Sequence, residues 1–470
     1  MKHFLASVLS TALFISIVSA APGPPEPPNF IVILADDLGW SDLGCYGNTF
    51  NETPNIDRLA REGMRFTQFY AGPVCSPTRA NLQSGQDQAR FGITQHIPGH
   101  RRPFAKLADP VVASQLPLEV ETYAERLRGA GYATGYFGKW HLGGQGFGPT
   151  DQGWQTALET RGHTQPARGA GTGKEQRTAE FLTDKALEFI ATHKTAPFVL
   201  QVSHHAVHIA LTTTPELEKK YRAKEPMAGY PSNPLYAGLL EELDQSVGRI
   251  VQAVEQAGLG EKTLVLFLSD NGGLEHEQSG DVVTSNAPLR GEKGTLYEGG
   301  IRIPAIARWT GRAPAGSECT TPAITMDVAA TLTELGGVRG GPNQVQDGVS
   351  LAALLRDPTA KIARDSLYWH LPHYHHGTPA SAIRQGDWKL IELYETDTVE
   401  LYDLAGDLGE TKDLAKDQPA KAAKLRSPLA EWRLKVNAQM PVPNPDYDPA
   451  RAGELAAGKK GKKRGVGTRR

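Results

Sequence analysis

The stretch Phe30-Ile31-Val32-Ile33-Leu34-Ala35-Asp36-Asp37 sets six apolar residues in a row and ends them on two adjacent carboxylates. An unbroken apolar run of this length, closed by polar residues, suits a strand buried on both faces. The runs Tyr132–Phe137, Phe198–Ser203, Thr263–Ser269 and Pro304–Ala307 repeat the pattern further along. Helical periods lie between them. From Tyr236 the positions Leu239, Leu240, Leu243, Val247, Ile250, Val251 and Val254 share one face before Gly258 supplies a stop, and a second amphipathic helix spans Glu180–Thr192. Strands alternating with helices predict an α/β fold: a large, mostly parallel (mixed) sheet sandwiched by helices. In that architecture ligands gather beyond the carboxyl ends of the strands, so the residues that follow each run are the candidates for chemistry.

Outside this region the chain changes character. A Gly-rich break at Gly336–Gly348 precedes Ser366–Leu371, Ala382–Glu392 and Val399–Tyr402, which read as a short antiparallel set. The expected organisation is a main domain over 29–345 and a smaller C-terminal α+β domain over 346–440. A linker and a basic tail over 441–470 follow, the tail rich in Lys and Arg from Lys459 to Arg470 and of a composition that cannot bury a core. At the other end Lys2, the apolar run Phe4–Val18 and the small residues Val18-Ser19-Ala20 read as a signal peptide over 1–20, followed by a Pro-rich tether over 21–28. The apolar run is shorter than the ~20 residues a membrane span needs, so the expectation is a secreted or periplasmic protein with no membrane span. A net charge of −2 gives no support for a nucleic-acid partner. Cysteine is scarce: only Cys45, Cys75 and Cys319 occur, an odd number for an exported chain, and at least one sulfur needs a reason.

Cys75 has one. In Cys75-Ser76-Pro77-Thr78-Arg79, Ser76 fits an N-cap, Pro77 the first helical position and Gly85 the stop. Cys75 is then expected at a helix amino terminus, whose free N–H groups and partial positive charge suit an anionic ester, with Arg79 on the same face. Asp36 and Asp37 end the first buried strand. Adjacent carboxylates held ~4 Å apart repel by ~4 kcal/mol at an effective dielectric of ~20, so they call for a cation. Asp270-Asn271 ends Thr263–Ser269 and runs into Gly272-Gly273. Both pairs offer only oxygen, which favours a hard ion such as calcium over zinc.

Three further segments carry cations or proton carriers. Lys139-Trp140-His141 follows Tyr132–Phe137; if still extended, it sets Lys139 and His141 on one face and Trp140 on the other. Ser203-His204-His205-Ala206-Val207-His208 runs out of another strand, with His208 read as a contact to the anion or leaving group and His204 and His205 as lining or support. Three histidines so close leave zinc possible in principle, although no cysteine or acid stands at zinc-ligand spacing. The loop Asn286–Gly300, loosened by Gly291, Gly294, Gly299 and Gly300, presents Lys293.

Taken together these residues resemble the formylglycine sulfatases, members of the alkaline-phosphatase-like superfamily, and look most like bacterial polysaccharide sulfatases. The resemblance runs over nearly the whole mature chain. It rests on Cys75-x-Pro77-x-Arg79, Ala35-Asp36-Asp37-Leu38-Gly39, Thr53-Pro54-Asn55-Ile56-Asp57, Gly138-Lys139-Trp140-His141-Leu142-Gly143 and Ser269-Asp270-Asn271-Gly272-Gly273. It implies that Cys75 is oxidised to formylglycine before folding, by a formylglycine-generating or an anaerobic maturation enzyme. One calcium ion would be held by Asp36, Asp37, Asp270, Asn271 and the modified Cys75. The resemblance also implies that Arg79 steadies the formylglycine, that Lys139, Lys293 and His208 hold the sulfate, and that His141 contacts the formylglycine hydroxyls. Helix Thr53–Glu62 would be scaffold. The chain departs from the family pattern at Ile209-Ala210, at Gln86 and at Glu292.

The expected activity is hydrolysis of sulfate esters. The aromatic and histidine content around Trp369–His376 and Ala382–Lys389 leans toward a sulfated carbohydrate, with the His96–Arg102 loop shaping the pocket. Alternatives are an arylsulfatase acting on small aromatic sulfates, a phosphatase or phosphodiesterase of the same superfamily, and a silent sulfated-glycan binder in which Cys75 stays a thiol.

Overall fold

The computed structural model describes residues 27–166, 175–278, 280–338, 340–341 and 344–456. The expected signal peptide, most of the tether and the basic tail lie outside them. The apolar run Phe30–Ala35 lies in the strand Asn29–Ala35, buried at every position. Its side chains alternate between two cores: Phe30, Val32 and Leu34 enter one, Ile31, Ile33 and Ala35 the other. That alternation explains the unbroken apolar run, because both faces of the sheet are covered.

The large sheet runs in the order Ser317–Cys319, Met64–Tyr70, Arg302–Arg308, Thr263–Ser269, Asn29–Ala35, Phe198–Ser203, Ala133–Gly138, Thr156–Glu159. Pairing is parallel from Thr263–Ser269 through to Thr156–Glu159. Arg302–Arg308 is antiparallel to both its neighbours. The sheet is thus mostly parallel and mixed, as expected. One core packs Tyr123, Leu127 and Val328 against it, and the other packs Leu182, Phe189, Leu243, Val247 and Ile250 from the helices Thr178–His193 and Pro234–Gln256. The second of those helices starts two residues before the hydrophobic period does, because Asn233 caps it by accepting from the Leu235 and Tyr236 amides.

The C-terminal set is a four-stranded antiparallel sheet, Ser366–Leu371, Ala380–Gln385, Trp388–Leu393 and Thr398–Asp403. The single run expected over Ala382–Glu392 is two strands, folded back at Gly386, whose φ of +59° a side chain would resist. One face of this sheet packs Trp369, Ala382 and Ile391 onto Tyr70, Ile301 and Met326 of the main body. The other packs Ile383, Leu390 and Leu401 under helix Pro419–Lys435. At the seam Lys389, fully buried, pairs with Glu298 at 2.9 Å and Glu410 at 2.8 Å.

Candidate active site

The strands deliver their last residues to one place. Asp36 and Asp37 leave Asn29–Ala35, and Asp270 and Asn271 leave the neighbouring Thr263–Ser269. The Asp37 amide donates to Asp270 Oδ1 at 3.1 Å, and Asn271 Nδ2 donates to Asp37 Oδ1 at 2.7 Å. Asp37 reaches this position with φ of +61°, a left-handed conformation that Asp tolerates better than most residues. All four side chains are buried, and Asp36 Oδ1 and Asn271 Oδ1 have no hydrogen-bond partner among the described residues. Two buried, unpartnered oxygens in an oxygen-only cluster of three carboxylates and an amide fit a hard divalent cation.

Three cations converge on the same carboxylates. Lys139 Nζ lies 2.6 Å from Asp36 Oδ2, and Lys293 Nζ lies 2.7 Å from Asp37 Oδ2. Arg79 binds Asp270 Oδ2 through Nε at 3.0 Å and Nη2 at 2.7 Å, and its Nη1 donates to the Lys139 carbonyl at 2.6 Å. Burial alone would raise the Asp36 pKa, but Lys139, His208, Arg79 and Lys293 hold it well below the usual carboxylate range. Burial likewise opposes ionisation of Asp37, and Lys293 and His208 overcome it. Asp270 goes the other way: burial and the neighbouring Asp36 charge push it up to about 7 against the pull of Arg79. Arg79 therefore holds the carboxylate cluster and the Lys139 backbone, and its link to residue 75 is through charge.

Cys75 is the first residue of helix Cys75–Ser84 and Val74 its cap, so the helix starts two residues earlier than Ser76 as cap and Pro77 as first residue predict. Pro77 still falls in the first turn, where its missing N–H costs nothing. Ser76, freed from capping, donates through Oγ to the His141 carbonyl at 2.9 Å and accepts from the Ile97 amide at 3.1 Å. Every residue of this helix is buried.

Lys139 and His141 both line the cavity, though not by continuing the strand. The chain turns at Gly138, where φ is +119° and a Cβ would stand 1.8 Å from the Ser203 carbonyl, and again at His141, where φ is +60°. Trp140 is buried between them, its indole donating to the Phe147 carbonyl at 2.8 Å. His141 Nε2 lies 2.6 Å from the Ile97 carbonyl, which accepts only from a protonated ring nitrogen. The opposite nitrogen, Nδ1, then carries a lone pair, and it lies 3.2 Å from Cys75 Sγ. Burial and the Lys139 charge lower the His141 pKa to about 4, so the ring is neutral at physiological pH.

The three histidines of the next strand end part company. His204 turns into the core and bonds Ser246 Oγ at 3.2 Å. His205 lines the cavity with Nε2 tied to the Thr160 carbonyl at 2.8 Å. His208 Nε2 stands 3.6 Å from Asp37 Oδ2, and its Nδ1 is spent on the Ile209 carbonyl. They do not form a common metal site. Lys293, expected on a flexible loop, is instead only 7% exposed and firmly held: its amide donates to the Gly273 carbonyl at 3.1 Å and that of Gly294 to the Pro73 carbonyl at 2.7 Å.

The cavity above these groups measures about 550 Å³. Cys75, Asp36, Lys139, His141, His208 and Lys293 all line it, joined by His96 and His100 from the expected loop and by His375 and His376 from the C-terminal segment. His370 and His373 are buried, bonded to Ser381 Oγ at 2.7 Å and Thr94 Oγ1 at 2.8 Å, so this segment is not a surface loop. Sequence reasoning missed Arg161, His163, Leu274 and His276, which also line the cavity. His163 had a usable signal, since it follows Thr156–Glu159, the edge strand of the same sheet.

Comparison with known proteins adds a lineage to this geometry. Residues 28–338 match the Sulfatase family model, and residues 291–435 match the model for the C-terminal part of N-sulphoglucosamine sulphohydrolase. A sulfatase of Formosa agariphila is 32% identical, covering 93% of this chain and 95% of that protein. The human N-acetylgalactosamine-6-sulfatase is also 32% identical, over 71% of this chain and 67% of its own length. Among solved structures, that of Ps i-CgsB with k-i-k-neocarrahexaose superposes with a TM-score of 0.74 at 26% identity, covering 90% of this chain and 95% of that one.

Proposed function

Because this chain belongs to the sulfatase family and is a sulfuric ester hydrolase by that membership, we propose that it desulfates a sulfated carbohydrate, using a formylglycine made from Cys75 and one calcium ion held by Asp36, Asp37, Asp270, Asn271 and the modified residue 75. The observation that carries the proposal is the convergence of a buried oxygen-only cluster, two lysines and a helix-terminal Cys75 facing a neutral His141. When in place, the calcium supplies positive charge to the transferring group and the formylglycine hydrate supplies a hydroxyl nucleophile together with a second hydroxyl that allows its regeneration.

The chain's own residues do the rest. Lys139 and Lys293 line the same cavity as Cys75 and would offset the charge of a sulfate bound there, and the amino terminus of helix Cys75–Ser84 adds the free N–H groups of its first turn. Arg79 fixes Asp270 and the Lys139 backbone, so that lysine and carboxylates keep their relative placement. His141 Nδ1 accepts a proton beside residue 75, and His208, when it carries a proton on both nitrogens, delivers the one on Nε2 to the departing alcohol at the cavity wall while Nδ1–H stays with the Ile209 carbonyl. The burial of the whole Cys75 helix supports modification before folding by a formylglycine-generating or anaerobic maturation enzyme, since the folded chain leaves that enzyme no access.

A carbohydrate rather than a small aromatic sulfate is favoured by the histidine-lined wall, whose rings suit sugar faces and hydroxyls. The signal-peptide reading supports a secreted or periplasmic site of action, and no described helix is long and apolar enough to cross a membrane. The test is a panel of sulfated oligosaccharides, aryl sulfates and phosphate esters assayed for anion release, with the peptide holding residue 75 weighed in parallel. The expected outcome is sulfate release from an oligosaccharide, a peptide lighter than the cysteine form, and a Cys75→Ala variant that folds and does not turn over. Substantial activity in that variant, or preference for phosphate, overturns the proposal.

A further inference from the structure

We infer that His96, His100 and His375 form a second metal site in the pocket wall, one that takes a borderline divalent transition-metal ion such as zinc or copper(II). One nitrogen from each ring lies within 4.8 Å of the others. The rings touch one another, with centroids 4.4 Å apart for His96 and His100, 5.5 Å for His96 and His375, and 5.3 Å for His100 and His375. The site shares no residue with the carboxylate cluster and goes beyond the sulfatase reading, which neither requires nor supplies it.

The hydrogen-bond inventory sets these three rings apart. Among the described residues His141, His163, His193, His204, His205, His208, His370, His373 and His376 each spend a ring nitrogen on a hydrogen bond. His276 is exposed to solvent. The ring nitrogens of His96, His100 and His375 have no hydrogen-bond partner among the described residues, and the Nδ1 atoms of His96 and His375 are buried without one. His375 is 6% exposed. Buried imidazoles without partners lose the solvation of their nitrogens and gain nothing for it, unless a ligand fills the gap. Burial also lowers the pKa of all three, which keeps their lone pairs free for a metal.

The backbone around the trio is braced. The His100 amide donates to Gln95 Oε1 at 2.6 Å, and Arg102 Nη2 donates to the His375 carbonyl at 3.0 Å. Gly294 passes so close that a Cβ there would lie 1.9 Å from His375 Nδ1. Tetrahedral coordination at ~2.0–2.1 Å puts ligand nitrogens about 3.3 Å apart. The rings therefore need to close by at most about 1.5 Å, and His100, exposed and on a loop, has the freedom to do so. Three neutral imidazoles with a fourth position toward the cavity suit zinc or copper, whereas the oxygen-only cluster suits calcium, so the two sites discriminate by ligand chemistry.

The full-length, untagged protein, saturated with calcium, tests this with two probes. Zinc is titrated against a chromophoric chelator, and copper(II) is followed by electron paramagnetic resonance. The expected result is one equivalent bound, nitrogen hyperfine splitting in the copper spectrum, and binding at least about tenfold weaker in His100→Ala and in His96→Gln. His276→Ala, at an exposed histidine lining the same cavity, leaves the affinity unchanged. His100 is exposed, so its variant folds. The inference is overturned by an absence of saturable binding, by a copper spectrum with oxygen ligands alone, or by affinity indifferent to both substitutions; the trio would then serve only as a wall for sugar hydroxyls.

Discussion

His141 Nδ1 lies 3.2 Å from Cys75 Sγ, while Nε2 of the same ring is committed to the Ile97 carbonyl at 2.6 Å. One hydrogen bond thus sets the tautomer, and the tautomer aims a lone pair at the residue proposed to carry the reaction. His141→Ala is expected to lower turnover by about 10²–10⁴-fold while keeping first-turnover release of the alcohol, because His208 rather than His141 serves the leaving group. Rapid-quench measurement of alcohol and sulfate separately checks this. Equal loss of both products in the first turnover would move His141 out of the second half-reaction.

The unpartnered Asp36 Oδ1 and Asn271 Oδ1 give the calcium proposal a readout in stability. An ion that binds only the folded chain adds about 2.7 kcal/mol at a hundredfold excess over its dissociation constant. Calcium added to chelator-treated protein is expected to raise the unfolding free energy by about that amount, and Asn271→Leu to abolish the gain. A thermal midpoint indifferent to calcium in the parent protein would remove the ion from the site.

Lys389 joins the two sheets through buried pairs with Glu298 and Glu410. Glu298 opens the short helix Glu298–Ile301, which follows directly on the loop that carries Lys293. Removing one partner of a buried pair costs about 3–5 kcal/mol, because the remaining charge has no solvent to return to. Lys389→Met is therefore expected to lose about that much in denaturant unfolding and to weaken substrate binding through Lys293. Arg302 and Tyr70 also hold Glu298, which places the larger loss at Glu410. Unchanged stability would mean that the seam is held by apolar packing alone.

The strand ends were legible in the sequence because burial on both faces leaves an unmistakable mark. Phe198–Ser203 and Thr263–Ser269 fall where their apolar runs do, and Asp36-Asp37 and Asp270-Asn271, at the ends of the neighbouring strands Asn29–Ala35 and Thr263–Ser269, mark the site. Met64–Tyr70 was not legible: its pattern mixes buried positions with partly exposed Arg65, Thr67 and Gln68 near the sheet edge. Helix Pro419–Lys435 was also missed, since it covers the small sheet with only Ala422, Leu425 and Leu429 fully buried. At the site the residue types and their order were readable, whereas the connections were not. That Arg79 clamps Asp270, and that His204 turns away while His205 and His208 turn in, depends on backbone turns such as those at Gly138 and His141, which leave no periodic trace.

His204 offers a test of the fold that is independent of catalysis. It is fully buried, its ring bonds Ser246 Oγ at 3.2 Å, and burial lowers its pKa to about 3. The unfolded chain protonates this ring below about 6.5, and the folded chain does not until far lower. Between those values the unfolded state binds one proton more, so the stability contributed by the neutral buried ring is present at high pH and is lost as pH falls through this window. Glutamine can keep a bond to Ser246 and does not titrate. Whatever its fixed cost, the stability difference between the parent chain and His204→Gln should move in the variant's favour by roughly 1.5 kcal/mol between pH 6.5 and pH 5. Urea unfolding at the two pH values measures it, and a difference constant across the window would mean that His204 takes up its proton in the folded chain.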